Sequence, residues 1–166
     1  MEIKIKSVEM GLDKYDMPGE IRLAKEEDIS RIAEIIVLAK RMVWRNIYKH
    51  DEWIFQDLQV LPVCMDLEKN PEKLENIYVY SEGFVQGIVC MDGQEVKGIF
   101  VDPFFQIQGV GDKLLDYVKE FKDAQCLWVK EKNEMAIHFF KRHGFASSGE
   151  TRLEEKTNEP MIKMVR

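Results

Sequence analysis

Val101-Asp102-Pro103-Phe104-Phe105-Gln106-Ile107-Gln108-Gly109-Val110-Gly111-Asp112-Lys113-Leu114-Leu115 decides the fold: an apolar strand ends, passes through a glycine-bearing turn and enters an amphipathic helix. A helix begins with backbone N–H groups that have no intrahelical acceptor, and with the positive end of its dipole, so an anion is stabilised there without a charged side chain. Glycines at 109 and 111 remove Cβ atoms that would hold a phosphate away from those amides. The stretch reads as a pyrophosphate cradle. A lone Gly-x-Gly also suits an ordinary strand-to-helix turn. The third glycine and the acidic residue of a dinucleotide-binding βαβ unit are missing, which argues against a Rossmann-type dinucleotide site.

Upstream of the cradle lie three apolar runs, Ile77 to Tyr80, Phe84 to Met91 and Val96 to Val101. They are separated by Ser81-Glu82-Gly83 and by Asp92-Gly93, and Asp-Gly between apolar runs is a strong hairpin signal. An antiparallel meander leading into the cradle follows. Earlier still, Ile21 to Leu23 reads as a strand, and Glu26-Glu27-Asp28 as the acidic first turn of a helix. Ile29, Ile32, Ala33 and Ile36 recur at helical spacing and mark its buried face. Arg41 to Leu67 reads as a second helical region, ended or kinked at Pro62. Its Trp44, Tyr48, Trp53 and Phe55 either complete the core or wall a pocket.

Downstream, a helix is expected from about Gln108 to Phe121, with Leu114, Leu115, Val118 and Phe121 inward. Then come a strand at Cys126 to Val129, a helix at Asn133 to His143, and strands at Phe145 to Ser148 and Met161 to Val165. Thr151 to Pro160, polar and charged, reads as a long hairpin loop.

The 166 residues suit a single domain at 21–166, preceded by an N-terminal extension at 1–20 that holds an optional strand and a loop. A content of 45% hydrophobic and 33% charged residues is that of a soluble globular chain. No apolar run reaches the ~18 residues of a membrane span, and the first residues lack a signal-peptide core, so a cytoplasmic protein without membrane association is expected. A net charge of −6 opposes a nucleic-acid-binding surface and weakly favours cationic acceptors. Cys64, Cys90 and Cys126 are odd in number and widely spaced, as for thiols in a reducing compartment. With His50, His138 and His143 they form no metal-ligand spacing. Homodimerisation is left open by the sequence.

Two motifs in order, Gln106-x-x-Gly109-x-Gly111 and Asn133-x-x-Ala136-x-x-Phe139-Phe140-x-x-x-Gly144-Phe145, resemble those of the GNAT superfamily of N-acetyltransferases. The resemblance runs from about Ile21 to Val165. It implies an α/β chain of the α+β type: a strongly twisted mixed sheet of about seven strands, antiparallel in its first half, with about four helices over both faces. It also implies acetyl-CoA as co-substrate, with no metal. The cofactor would wedge between the strand ending at Val101 and the one beginning near Cys126. By the same resemblance its pyrophosphate and pantetheine would meet Gln106, Ile107, Gln108, Gly109, Val110, Gly111 and Asp112. Ile99, Phe100 and Val101 would line the thioester end, with a backbone N–H near 101 receiving the oxyanion. Asn133 would contact the pantetheine arm, and Phe140 would stand near the departing sulfur.

The implied reaction is direct transfer of an acetyl group to a primary amine, in a small molecule or on a protein. A lysine-like amine with a pKa of about 10.4 is almost wholly protonated at neutral pH, so a base is needed. Glu95, eleven residues before Gln106, matches the spacing of a general-base glutamate in some family members; it could equally be a solvated glutamate in its turn. The family's usual leaving-group acid is a tyrosine where this chain has Phe140, which cannot donate a proton. His143, one turn further on, is the alternative acid, or else a cap for its helix. A degenerate acyl-CoA-binding sensor and a purely structural α/β protein are the competing readings.

Overall fold

The computed structural model describes residues 19–166. The expected strand and loop before Glu20 fall almost wholly outside that range. Seven strands form one sheet in the order β1-β2-β3-β4-β5-β7-β6. Their bounds are β1 Glu20–Leu23, β2 Ile77–Ser81, β3 Val85–Asp92, β4 Glu95–Val101, β5 Cys126–Lys130, β6 Ala146–Leu153 and β7 Pro160–Val165. All neighbours are antiparallel except β4 and β5. The five α-helices are α1 Ile29–Tyr48, α2 Asp51–Asp57, α3 Val60–Lys69, α4 Val110–Phe121 and α5 Glu134–Arg142. None of the described helices is long and apolar enough to cross a membrane.

Alternation along the strands divides the core into two layers. On one face Val89, Met91, Val96 and Leu127 pack against Leu114, Leu115 and Val118 of α4 and Phe140 of α5. On the other, Ile77, Val79 and Ile88 pack against Ile32 and Ile35 of α1 and Leu67 of α3, with Cys90 and Phe100 at the margin. The expected mixed sheet with helices on both faces is therefore present.

Several expected boundaries move. Helix α1 runs unbroken through Arg41 to Tyr48 and stops at Lys49, whose φ of 52° is left-handed. Pro62 neither ends nor kinks a helix: it is the third residue of α3, where the missing N–H has no intrahelical acceptor to lose. Thr151 to Leu153 belong to β6, so the expected long loop shrinks to residues 154–159. That strand lies at the sheet edge with every residue exposed, so it has no apolar alternation to read. Phe121, expected inward, is 61% exposed at the last turn of α4.

Candidate functional site

Strand β4 carries one residue more than β3 allows for. Cys90 faces Gly98 and Met91 faces Val96, so Lys97 is the extra residue of a β-bulge. The parallel ladder between β4 and β5 extends only over Glu95↔Cys126 and Val96↔Leu127 and ends at that bulge. A bulge bends its strand and increases twist, which accounts for β4 leaving β5 at this point. From Gly98 to Val101 the strand is paired with β3 alone, and from Trp128 to Lys130 β5 is paired with β7 alone. A wedge therefore opens in mid-sheet, with Ile99, Phe100 and Val101 along one wall.

The cradle stands at the open end of this wedge. Asp102 terminates β4: its backbone N–H donates to Gln86 O at 2.9 Å and its Oδ1 accepts from Phe104 N at 2.8 Å. Its carboxylate is only 2% exposed and is matched by Arg31 of α1, whose Nη2 lies 2.5 Å from Oδ2. The same guanidinium donates from Nε to Val85 O at 2.9 Å and pairs with Glu34 at 2.6 Å. Burial lowers the Arg31 pKa, but its bonds to Glu34 and Asp102 outweigh this and raise it. The start of the cradle is thus pinned to α1 by a buried ion pair that the sequence did not announce. The Asp-Pro dipeptide, a common turn opener, was the one available signal.

Beyond Asp102 the loop is shaped by backbone rather than by charge. Ile107 has φ 67° and is fully exposed, and Gly109 has φ 79°. The left-handed conformation explains glycine at 109, where an added Cβ would meet nothing within 4 Å. At Gly111 a Cβ would make only ordinary contacts with Phe139 and Val101, so protein packing alone does not demand that glycine. Lys113 N bonds Gly109 O at 3.0 Å as the first helical bond, leaving the amides of Val110, Gly111 and Asp112 without a helical acceptor. Gln106 Nε2 donates back to Val101 O at 3.2 Å and Gln108 Nε2 to Phe104 O at 3.4 Å, which closes the loop on itself. Helix α4 comes so near β3 that a Cβ on Gly87 would lie 2.7 Å from Val110 Cγ1.

The remaining expected residues fall around this frame. Asn133 caps α5, its Oδ1 accepting from Ala136 N at 3.2 Å and leaving Nδ2 to donate elsewhere. Phe140 is 8% exposed and packs in the α4–α5 core against Phe139 and Phe145. His143 bridges the two helices, with Nε2 2.8 Å from Asp112 Oδ1 and Nδ1 3.2 Å from Asp116 Oδ1, its ring tilted on Phe139. For Asp116, burial pushes the pKa up, but bonds to Lys119 and His143 prevail and lower it. Glu95 opens β4 at the closed end of the wedge and pairs with Lys97 at 3.0 Å.

Side chains from α1, α2, β5 and the 154–159 loop also converge. Trp44 and Trp53 stack at 5.5 Å, and Tyr48 meets both edge-on. These rings form a half-buried wall and not core; Phe55 lies apart, 45% exposed beneath Arg41. Lys130 of β5 is buried and its Nζ lies 2.5 Å from Glu154 Oε2, an ion pair that is not aligned as a hydrogen bond. Tyr48 Oη lies 3.3 Å from Glu154 Oε2 and 3.2 Å from Thr157 Oγ1, which tethers the loop to α1. Burial pushes the Glu154 pKa up, but Lys130 and Thr157 more than reverse it, so the carboxylate is held below its ordinary range. A strongly stabilised carboxylate is a poor proton acceptor.

Comparison with known proteins gives this frame its relations. Residues 73–147 match the family model of the acetyltransferase (GNAT) domain. The peptidyl-lysine N-acetyltransferase YjaB of Escherichia coli is 29% identical over 69 residues, 42% of this chain and 47% of that protein. An uncharacterised N-acetyltransferase of Methanocaldococcus jannaschii is 27% identical over 138 residues, 75% of this chain and 59% of that protein. The chain thus spans about half the length of these curated relatives. Among solved structures, apo YjaB from Escherichia coli superposes with a TM-score of 0.68 at 20% identity, over 90% of this chain and 97% of that one. An N-acetyltransferase from Thermoplasma acidophilum in complex with coenzyme A gives 0.64 at 16% identity, over 90% and 100%. The bulged and split sheet is similar to that of these solved acetyltransferases, and the glycine-turned cradle lies within the stretch that matches the GNAT acetyltransferase domain.

Proposed function

We propose that this protein is an N-acetyltransferase that moves an acetyl group from acetyl-CoA to a primary amine within a ternary complex. The observation that carries the reading is the wedge between β4 and β5 with unpartnered helix amides at its mouth. The fit is chemical as well as steric: the amides of Val110, Gly111 and Asp112 suit a pyrophosphate, and Asn133 Nδ2 suits an amide carbonyl of the pantetheine arm. The open edges of β4 and β5 suit that arm's amide groups. Bound acetyl-CoA would supply a thioester carbonyl carbon to which the amine adds; the C–S bond then breaks and CoA leaves as its thiolate.

The chain's own groups do the rest. The backbone N–H near Val101 stabilises the oxyanion, because it is fixed in position before any charge develops there. Glu95 takes the proton that the amine must lose, directly or through water. Phe140 cannot protonate the sulfur. A thiol of pKa about 8.5, by analogy with cysteine, leaves without an obligatory acid. His143 is placed by its two aspartates as a seam between α4 and α5, a role that competes with acid catalysis.

The test is titration calorimetry with acetyl-CoA and CoA on the wild type and on Gly109→Trp, coupled to CoA release with an amine panel. Saturable binding that vanishes in the variant, together with amine-dependent release, is the expected result. Absence of binding to the wild type would overturn the reading. A second reading, a binding-only acyl-CoA module, is favoured by the burial of Phe140 where an acid is usual. Binding without release for any amine would decide for it, and Glu95→Gln, expected to lower kcat with little change in acetyl-CoA affinity, separates base from bystander.

A further inference from the structure

A cavity of about 560 Å³ opens on the α1 face, between α1, α3, β2 and β3. Its walls are mainly apolar, with Ile36, Val63, Leu67 and Ile77 among them. Its cations are Lys40, Lys73 and Lys156, and its anions Asp57 and Asp66. Lys73 is already paired with Asp66 at 2.6 Å, and Asp57 is exposed at the rim. Lys40 and Lys156 are left.

Lys40 is the more unusual of the two. Its Nζ lies 5.6 Å from the Trp44 ring centroid and 5.7 Å from that of Phe100, and among the described residues no carboxylate comes within ion-pair range of it. Cys90 beside it provides no counter-charge, since burial pushes that thiol up to about 12 and keeps it neutral. Glu154, the nearest carboxylate influence, is engaged by Lys130. Burial accordingly lowers the Lys40 pKa, with Lys130 and Lys156 acting in the same direction and Glu154 against them. A largely desolvated ammonium without an anion is costly, and a ligand carboxylate relieves that cost.

The cationic end of the cavity adjoins the reaction wedge. Cys90, which lines the cavity, is the cross-strand partner of Gly98, the first β4 residue past the bulge. The Phe100 ring folds over Gly98, where a Cβ would lie 2.6 Å from it, and its centroid is 5.7 Å from Lys40 Nζ, so one ring touches both the wedge wall and the lysine's surroundings. One side of the site can therefore hold an apolar body and an anion, while the other side holds the thioester.

We propose that the acceptor is a small amine that also carries a carboxylate, such as a free apolar amino acid, with Lys40 as the carboxylate's counter-ion. The inference rests on the N-acetyltransferase reading above. A peptide lysine side chain is disfavoured, because it would bring a lone ammonium towards Lys40 and Lys156. A singly charged carboxylate suits one desolvated lysine, whereas a phosphate dianion would be left under-neutralised. The overall charge of −6 is thus no guide to the acceptor, because the cavity's lining carries three lysines against two aspartates.

The experiment measures CoA release with matched sets: L-phenylalanine, its amide and 2-phenylethylamine; L-leucine, its amide and 3-methylbutylamine; and a lysine-containing peptide. Each is run on the wild type, Lys40→Met, Lys40→Arg and Lys156→Met. A charge-assisted contact is expected to favour the carboxylate members in kcat/KM by at least about 10-fold. Lys40→Met should erase that preference through KM with acetyl-CoA affinity unchanged, and Lys40→Arg should restore part of it. Lys156→Met, at an exposed position, tests the same field should Lys40→Met fail to fold, and should reduce the preference by a smaller factor. Neutral amines or the peptide turned over as well as the amino acids would overturn the inference and leave acetyl transfer standing. Acetyl-CoA binding without turnover of any carboxylate amine would also overturn it; no acetyl-CoA binding would overturn both readings.

Discussion

The two sides of the wedge are built from different materials. The cradle side is backbone: left-handed turns at Ile107 and Gly109, bare amides at the head of α4, and glycine at 87 where that helix meets the sheet. The side proposed for the acceptor is made of side chains brought together from distant parts of the chain: Lys40, Trp44 and Tyr48 from α1, Lys130 from β5, Glu154 and Thr157 from the final hairpin. A backbone device ties recognition to local sequence and suits a constant ligand. A side-chain device changes by point substitution and suits a varied one.

The contrast can be broken at the joint between the sides. Arg31→Met should have the largest effect, since it leaves the buried Asp102 carboxylate without its cation; a loss of about 3–5 kcal/mol is expected in denaturant unfolding. Because Asp102 starts the loop, acetyl-CoA affinity should fall more than any amine KM changes. Equal loss on both sides would mean that the pair only holds the fold together.

Gly87→Ala presses on the cradle alone. The 2.7 Å approach to Val110 forces α4 outward, with an overpacking cost of about 1–3 kcal/mol. Calorimetry should record weaker acetyl-CoA binding and an undisturbed acceptor preference. Unchanged affinity would show that the helix head tolerates displacement.

Glu154→Gln addresses the acceptor side and carries a pH signature. The folded pKa of Glu154 lies below its ordinary range, so its contribution to stability is present above that range and is lost as pH falls through the folded value. The Tm gap between wild type and variant should therefore be open at neutral pH and close on acidification. A gap constant with pH would indicate that the loop is held by Tyr48 and Thr157 without the charge.

The smallest effect is expected at Ile107, where a β-branched residue occupies the left-handed region. Ile107→Gly should relieve strain and raise stability by up to about 1 kcal/mol, readable as a small rise in Tm. A fall would mean that the exposed side chain has a use, such as contact with the ligand.

These two materials also explain what could be read in advance. The cradle and the hairpins before it were legible because glycine turns, Asp-Gly and apolar alternation act over a few residues. The bulge at Lys97 was not, since an extra residue is defined only against the partner strand. Nor was the meeting of Lys40 with Phe100 or of Lys130 with Glu154, which depends on crossing the sheet. Pro62 misled because proline is read as a breaker, yet its missing N–H costs nothing in a first turn. Thr151 to Leu153 misled because an edge strand exposed on both faces looks like loop.

The bulge has one more consequence. By parting β4 from β5 it creates two inner strand edges in the middle of a sheet, each with backbone groups that lack a neighbour. Such edges are the sites at which chains adhere to one another in cross-strand aggregates. A ligand seated in the wedge as proposed would cover both edges like a removable eighth strand, and would give the protein a colloidal as well as a thermodynamic interest in binding it. Its shelf life in solution should lengthen with saturation of the wedge, even under conditions where melting is unaffected.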